Sequence, residues 1–119
     1  MTHNKILGNK GEALAKKYLI NHGYTILASN YRSQHLEIDL IAFRQPYTVF
    51  VEVKTRIKTA DANLENPLAK WQTKNLKRAI IAYCYAHHLN LELARLDLIV
   101  ISVNNLQKKA TLKHYRDIF

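Results

Sequence analysis

Apolar positions recur along this chain with two different periods, and the switches between them outline its elements. Through residues 5–22, Leu7, Gly11, Leu14, Ala15, Tyr18 and Leu19 fall on one face at helical spacing, predicting a first helix that Gly23 ends. Tyr24 to Tyr31 reads as a first strand. Leu36–Phe43 and Thr48–Thr55 read as a second and third, joined by a turn at Arg44-Gln45-Pro46-Tyr47. Residues 56–66 are polar and without period, a loop that is mobile or contacts substrate. Asn66 is a good N-cap and Pro67 suits the first helical position, so a second helix is expected to run to about His88. Leu96 to Val103 is a nearly continuous apolar run, the pattern of a strand buried on both faces. Asn104-Asn105 marks a turn, and Ala110 to Tyr115 an edge strand. The order helix, three strands, helix, strand predicts an α/β fold with a mixed central β-sheet flanked by helices. At 119 residues, without repeats or low-complexity tracts, residues 1–119 form a single domain.

Charges interrupt the second and third strands at Glu37, Asp39, Glu52 and Lys54. Alternation puts Glu37 and Asp39 on one face, and Glu52 and Lys54 on one face of the next strand, with Val49, Val51 and Val53 lining the other. A loop centred between Gln45 and Pro46 pairs residues whose numbers sum to 91. Asp39 then lies opposite Glu52, Glu37 opposite Lys54, and His35 opposite Arg56; a slip of one residue would mix every charge with a valine face. Directly opposed carboxylates repel, so something positive must sit between them. Lys54 supplies part of that charge. A hard divalent cation such as Mg²⁺, which binds through one or two carboxylates and keeps several waters, would supply more. The competing reading is an edge hairpin whose solvated face carries two ordinary ion pairs.

Asp39 followed after twelve residues by Glu52-Val53-Lys54 resembles the core signature of the PD-(D/E)XK nuclease superfamily. Gly8-x-x-Gly11-Glu12-x-x-Ala15, Gly23-Tyr24, Asn30-Tyr31-Arg32, Glu37-Ile38-Asp39-Leu40-Ile41-Ala42 and Val49-Phe50-Val51-Glu52-Val53-Lys54-Thr55-Arg56 resemble the YraN family of small bacterial proteins. Lys74-x-x-Lys77 and Arg95-Leu96-Asp97-Leu98-Ile99-Val100 fit the second half of that family, so the resemblance spans about residues 8 to 101. Leu36 stands where the family usually has Gly. The resemblance implies a restriction-endonuclease-like core, akin to archaeal Holliday-junction resolvases, and an Mg²⁺- or Mn²⁺-dependent endonuclease acting on DNA, including branched DNA. In that reading Asp39, Glu52 and the Val53 carbonyl hold the metal with help from Glu12, while Lys54 stabilises developing charge. From periodicity alone Glu12, on the border of the helix stripe, is equally a surface glutamate favoured by the helix dipole.

Charge sharpens the choice of partner. Lys and Arg total 18 against 9 Asp and Glu, a formal charge of +9, and such a field favours polyanions. Lys70, Lys74 and Lys77 recur at helical spacing after Arg56 and Lys58, a basic face suited to a phosphate backbone. Trp71, Tyr83 and Tyr85 on the same helix read as core and not as stacking platforms. The lone Cys84 excludes an intrachain disulfide, points to a reducing cytoplasm, and lies in an apolar run as a packed small hydrophobe. No segment reaches transmembrane length and no signal-peptide core is present, so no membrane partner is expected. The histidines form no metal motif, although His35 shares the Glu37 and Asp39 face by alternation. Two functions of different class therefore lead, a metal-dependent endonuclease and a non-catalytic module that keeps the fold and binds nucleic acid or protein, with association of the basic first helix with a membrane surface a weaker third. Resolvase-like relatives act as dimers, which adds a homodimer to the partners implied.

Overall fold

The computed structural model describes residues 3–33, 36–57, 70–104 and 106–118, with the side chains of 3–8 and 70–74 outside that description. A helix α1 (His3–Asn21) leads into strands β1 (Thr25–Ser33), β2 (Leu36–Arg44) and β3 (Tyr47–Ile57), then α2 (Lys70–Ala86), β4 (Ala94–Asn104) and β5 (Lys109–Tyr115). A 3₁₀ turn at Leu91–Leu93, capped by Asn90, precedes β4. Gly23 ends α1 as expected: its φ of 87° lies in the left-handed region, and Tyr24 N–H reaches back to Leu19 C=O at 3.0 Å. The proposed cap at Asn66 and Pro67 lies outside the described residues, as does His35.

The strands form one sheet in the order β1-β2-β3-β4-β5. Strand β3 runs parallel to β4 and every other pair is antiparallel, so the sheet is mixed and α2 lies on the crossover between the parallel strands. Ala15 and Leu19 of α1 pack on Leu40, Ala42, Val49, Val51, Ile99 and Ile101. On the opposite face Leu76, Ala79, Ile80, Tyr83 and Cys84 of α2 cover Ile38, Ile41, Phe50 and Leu96. Val49, Val51 and Val53 share the α1 face, and Leu96 to Ile101 is buried throughout, as the pattern predicts. Cys84 is indeed a packed hydrophobe, its thiol pKa pushed up by burial. Tyr83 is core, but Tyr85 is 86% exposed, so the two tyrosines part company.

The β2–β3 register is the one that sums to 91, from Arg44 with Tyr47 to Leu40 with Val51. There the ladder stops, one step short of Asp39 and Glu52. The extrapolated Glu37–Lys54 pair does not form; Glu37 instead sits across from Arg32 on β1, with an ion-pair distance of 3.6 Å. Strict alternation also fails in β2. Leu40 and Ala42 face α1, yet Ile38 and Ile41, three residues apart, both face α2. In β1 the same face receives both Ala28 and Tyr31, and between them Asn30 adopts a positive φ of 52°. Ser29 pairs with Leu40 and Tyr31 with Ile38, which places Asn30 and Asp39 at the same level. Besides the register shift between Ile26 and Ala28 of β1, both strands thus break alternation together at this level, and Asp39 stands at it.

Candidate functional site

Asp39 leaves the ladder but stays tied to β3, because its Oδ2 accepts the backbone N–H of Val53 at 2.8 Å. That bond replaces the missing rung and turns the carboxylate toward the neighbouring strand's Glu52. Glu52 is 8% exposed, buried by an apolar sheet whose next strand places Leu98 beside it. Burial, a hydrogen bond to the Asp39 carboxylate and that group's charge push the Glu52 pKa up to about 9, against the opposing pull of Lys54. The shift favours a Glu52 that keeps its proton and shares it with the Asp39 carboxylate.

Helix α1 brings the third acid. Gly11 is buried, and a Cβ there would collide with the Thr55 hydroxyl of β3, so the absence of a side chain allows close helix–strand approach at this level. The next residue, Glu12, is partly buried, and its pKa is raised by that burial and by the charge of Asp39, with a smaller contribution from Glu37. The Asn30 side chain hydrogen-bonds Glu12 and acts in the other direction. Four consecutive elements meet here: α1 with Glu12, β1 with Asn30, β2 with Asp39, β3 with Glu52 and Lys54.

Among the described residues no three His, Cys, Asp or Glu side chains converge into a cage of metal-ligand geometry. The close pair is Asp39 and Glu52, and Glu12 stands behind it at electrostatic range. Such a pair suits a hard cation that takes one or two carboxylates and completes its shell with carbonyl oxygen and water. Arg56 follows on β3 at the level of Ser102 and is partly buried, and Lys77 is exposed on α2. Lys70 and Lys74 belong to the first turns of α2, where side chains are outside the described residues. Arg32 is a basic group beside the site that sequence patterning passed over; its side chain is 78% exposed.

A second polar cluster lies within the α1 side of the sheet and was not foreseen. Asp97 is fully buried and accepts four hydrogen bonds: Arg95 Nε at 2.9 Å and Arg95 Nη2 at 3.0 Å, His114 Nε2 at 2.7 Å, and Asp117 N–H at 3.0 Å. Arg95 Nη2 also donates to the Tyr24 hydroxyl at 2.7 Å, and His114 Nδ1 meets the Tyr18 hydroxyl at 2.9 Å. The carboxylate requires the proton on His114 Nε2, leaving Nδ1 to accept from Tyr18 when the ring is neutral. The Asp97 carboxylate finds all its partners inside this network, which fastens β5 and α1 to β4. The only hint in the sequence is one charge inside an apolar run.

No described helix is long and apolar enough to cross a membrane. The profile of "Uncharacterised protein family UPF0102" matches residues 11–101. A UPF0102 protein of Parabacteroides distasonis is 33% identical over 100% of this chain and 96% of the relative. UPF0102 proteins of Christiangramia forsetii and Chlorobium chlorochromatii are 38% and 36% identical, over 98% and 95% of this chain and 95% and 90% of theirs. With the matched span running from the helix glycine beside Glu12 to the centre of β4, this chain belongs to the UPF0102 family, the YraN family its motifs resemble.

Proposed function

We propose that this protein is a metal-dependent endonuclease acting on nucleic acid, DNA foremost, through Asp39, Glu52, Lys54 and Glu12. The observation that carries the reading is the pairing of a buried Glu52 with a partly buried Asp39 at the point where the β2–β3 ladder ends. Two carboxyls this close, one of them withdrawn from water, resist ionising together, and uncharged isosteres would serve the fold at least as well. A cation gives the arrangement its reason. Mg²⁺ or Mn²⁺ fits the donor set, with Asp39, Glu52 and the Val53 carbonyl as protein ligands and water for the rest. When bound, the ion would polarise a scissile phosphate and make a water more acidic.

The chain's own groups do the remaining work. Lys54, one strand period beyond Glu52, places a fixed positive charge where negative charge develops on phosphate oxygens. Glu12, its pKa raised by burial and by Asp39, can exchange a proton closer to neutrality than an exposed glutamate. Arg56, Lys70, Lys74, Lys77 and Arg32 hold the phosphate backbone, consistent with the +9 charge of the chain.

One observation favours the other reading, a non-catalytic binding module: a protonated Glu52 donating to Asp39 leaves a single shared charge, which a fold tolerates without metal. Cleavage separates the two. Purified protein with Mg²⁺ or Mn²⁺ is offered branched, flapped, single-stranded and duplex DNA and RNA. An endonuclease cuts at least one of these. Lys54→Ala then keeps metal and nucleic-acid binding but loses cutting, whereas Glu52→Ala loses metal as well. No cutting by the parent, or cutting that survives in both variants, assigns the binding module.

A further inference from the structure

Asn30 serves no packing purpose that a strand residue would normally serve. Its φ of 52° is a conformation that Asn tolerates better than most residues and that a strand does not need. It is level with Asp39 by the β1–β2 register, and it is the point past which β1 side chains change face. Its exposed side chain lies within hydrogen-bonding reach of Glu12 on α1, and its influence lowers the Glu12 pKa against the effect of burial. One residue thereby touches the helix acid and shapes the backbone facing the strand acid.

We infer that Asn30 is a positioning residue of the carboxylate site, its backbone matching the break that frees Asp39 from the ladder and its amide fixing Glu12 toward the pair. This deepens, and rests on, the metal-site reading above. The two roles separate chemically. Glycine adopts a positive φ without strain but has no amide, while alanine lacks the amide and resists the backbone conformation.

The experiment compares Asn30→Gly, Asn30→Ala, Glu12→Ala and the Asn30→Gly/Glu12→Ala double variant, by metal-free thermal melting and by Mn²⁺ titration. Asn30→Ala should melt lower than the parent and Asn30→Gly should recover most of that loss. Mn²⁺ affinity should nevertheless stay reduced about tenfold in Asn30→Gly, the low end for loss of a group that orients metal-site carboxylates. Without metal, the Asn30 and Glu12 changes should be non-additive, since they remove the two ends of one hydrogen bond. Unchanged Mn²⁺ affinity in Asn30→Gly, or additive melting shifts, overturns the inference. A parent that binds no Mn²⁺ removes the metal reading instead, and the melting cycle then decides by itself whether Asn30 holds Glu12.

Discussion

Asp39 accepts a hydrogen bond from the Val53 backbone at 2.8 Å, although the strands that carry the two residues have already ceased to pair. The carboxylate is thus a structural acceptor as well as a candidate ligand, and the two roles predict different responses to substitution. Asp39→Asn keeps an oxygen for the Val53 N–H and removes the charge beside Glu52. Without metal it should melt at or above the parent's temperature. Millimolar-range Mn²⁺ should raise the parent's melting temperature by ligand linkage and leave Asp39→Asn unmoved. Equal responses in the two proteins would exclude metal at this pair.

Glu52 makes the metal-free fold sensitive to base. Its folded pKa of about 9 lies above the ordinary 4.5, so the native state holds a proton that the unfolded chain has lost between those values. Stability from this group is fully present below the unfolded value and is lost as pH rises through the folded one. Melting temperature should therefore fall from mildly acidic to alkaline pH, and Glu52→Gln should flatten the decline. Mn²⁺ uptake should strengthen over the same range, because the ion must displace that proton. A decline as steep in Glu52→Gln would locate the sensitivity elsewhere.

Nucleic-acid binding should be steeply salt-dependent and nearly indifferent to sequence. Each phosphate contact on duplex DNA contributes a log–log slope of about 0.9. Replacing Lys74 and Lys77 by Ala should weaken binding and flatten the slope by roughly two such contacts. A slope equal to the parent's would take α2 out of the footprint.

Asp97 should respond oppositely to Asp39. Burial by itself would raise its pKa, but hydrogen bonds from His114, Arg95 and the Asp117 N–H outweigh it and hold Asp97 below the usual range. Its contribution is present above the unfolded value and is lost as pH falls through the folded one, which steepens acid unfolding. Asp97→Asn strands Arg95, whose side chain is 17% exposed, and should destabilise the fold by roughly 3–5 kcal/mol in denaturant melts. A loss no larger than that of an exposed acid outside the network, such as Glu92, would show that the network is dispensable.

Polarity and turn chemistry made much of this molecule legible. The two-residue Gln45-Pro46 loop set a register that runs unbroken to Leu40 and Val51, and the valine stripe of β3 lies where alternation puts it. Alternation misled beyond Leu40. Alternation would put Ile38 and Ile41 on opposite faces, but both lie against α2, at the level where Asn30 of the adjoining strand takes a left-handed φ, and nothing in the β2 sequence records that event. Glu12 could be placed on a helix border by periodicity, but its direction depends on how α1 sits on β3. Asp97 was visible as an isolated charge among apolar neighbours. Its partners Tyr24 and His114 come from distant segments, and no spacing rule links them.

The missing side chain at Gly11 acts as a detent for α1. The helix touches β3 closely at Thr55, and sliding along its axis would bring a bulkier residue over that hydroxyl, since Lys10, Glu12 and Ala13 all carry a Cβ. Each residue of travel moves a helix by 1.5 Å. Glu12 follows directly on the detent, so the height of its carboxylate above the sheet is set by a contact that involves no charge at all.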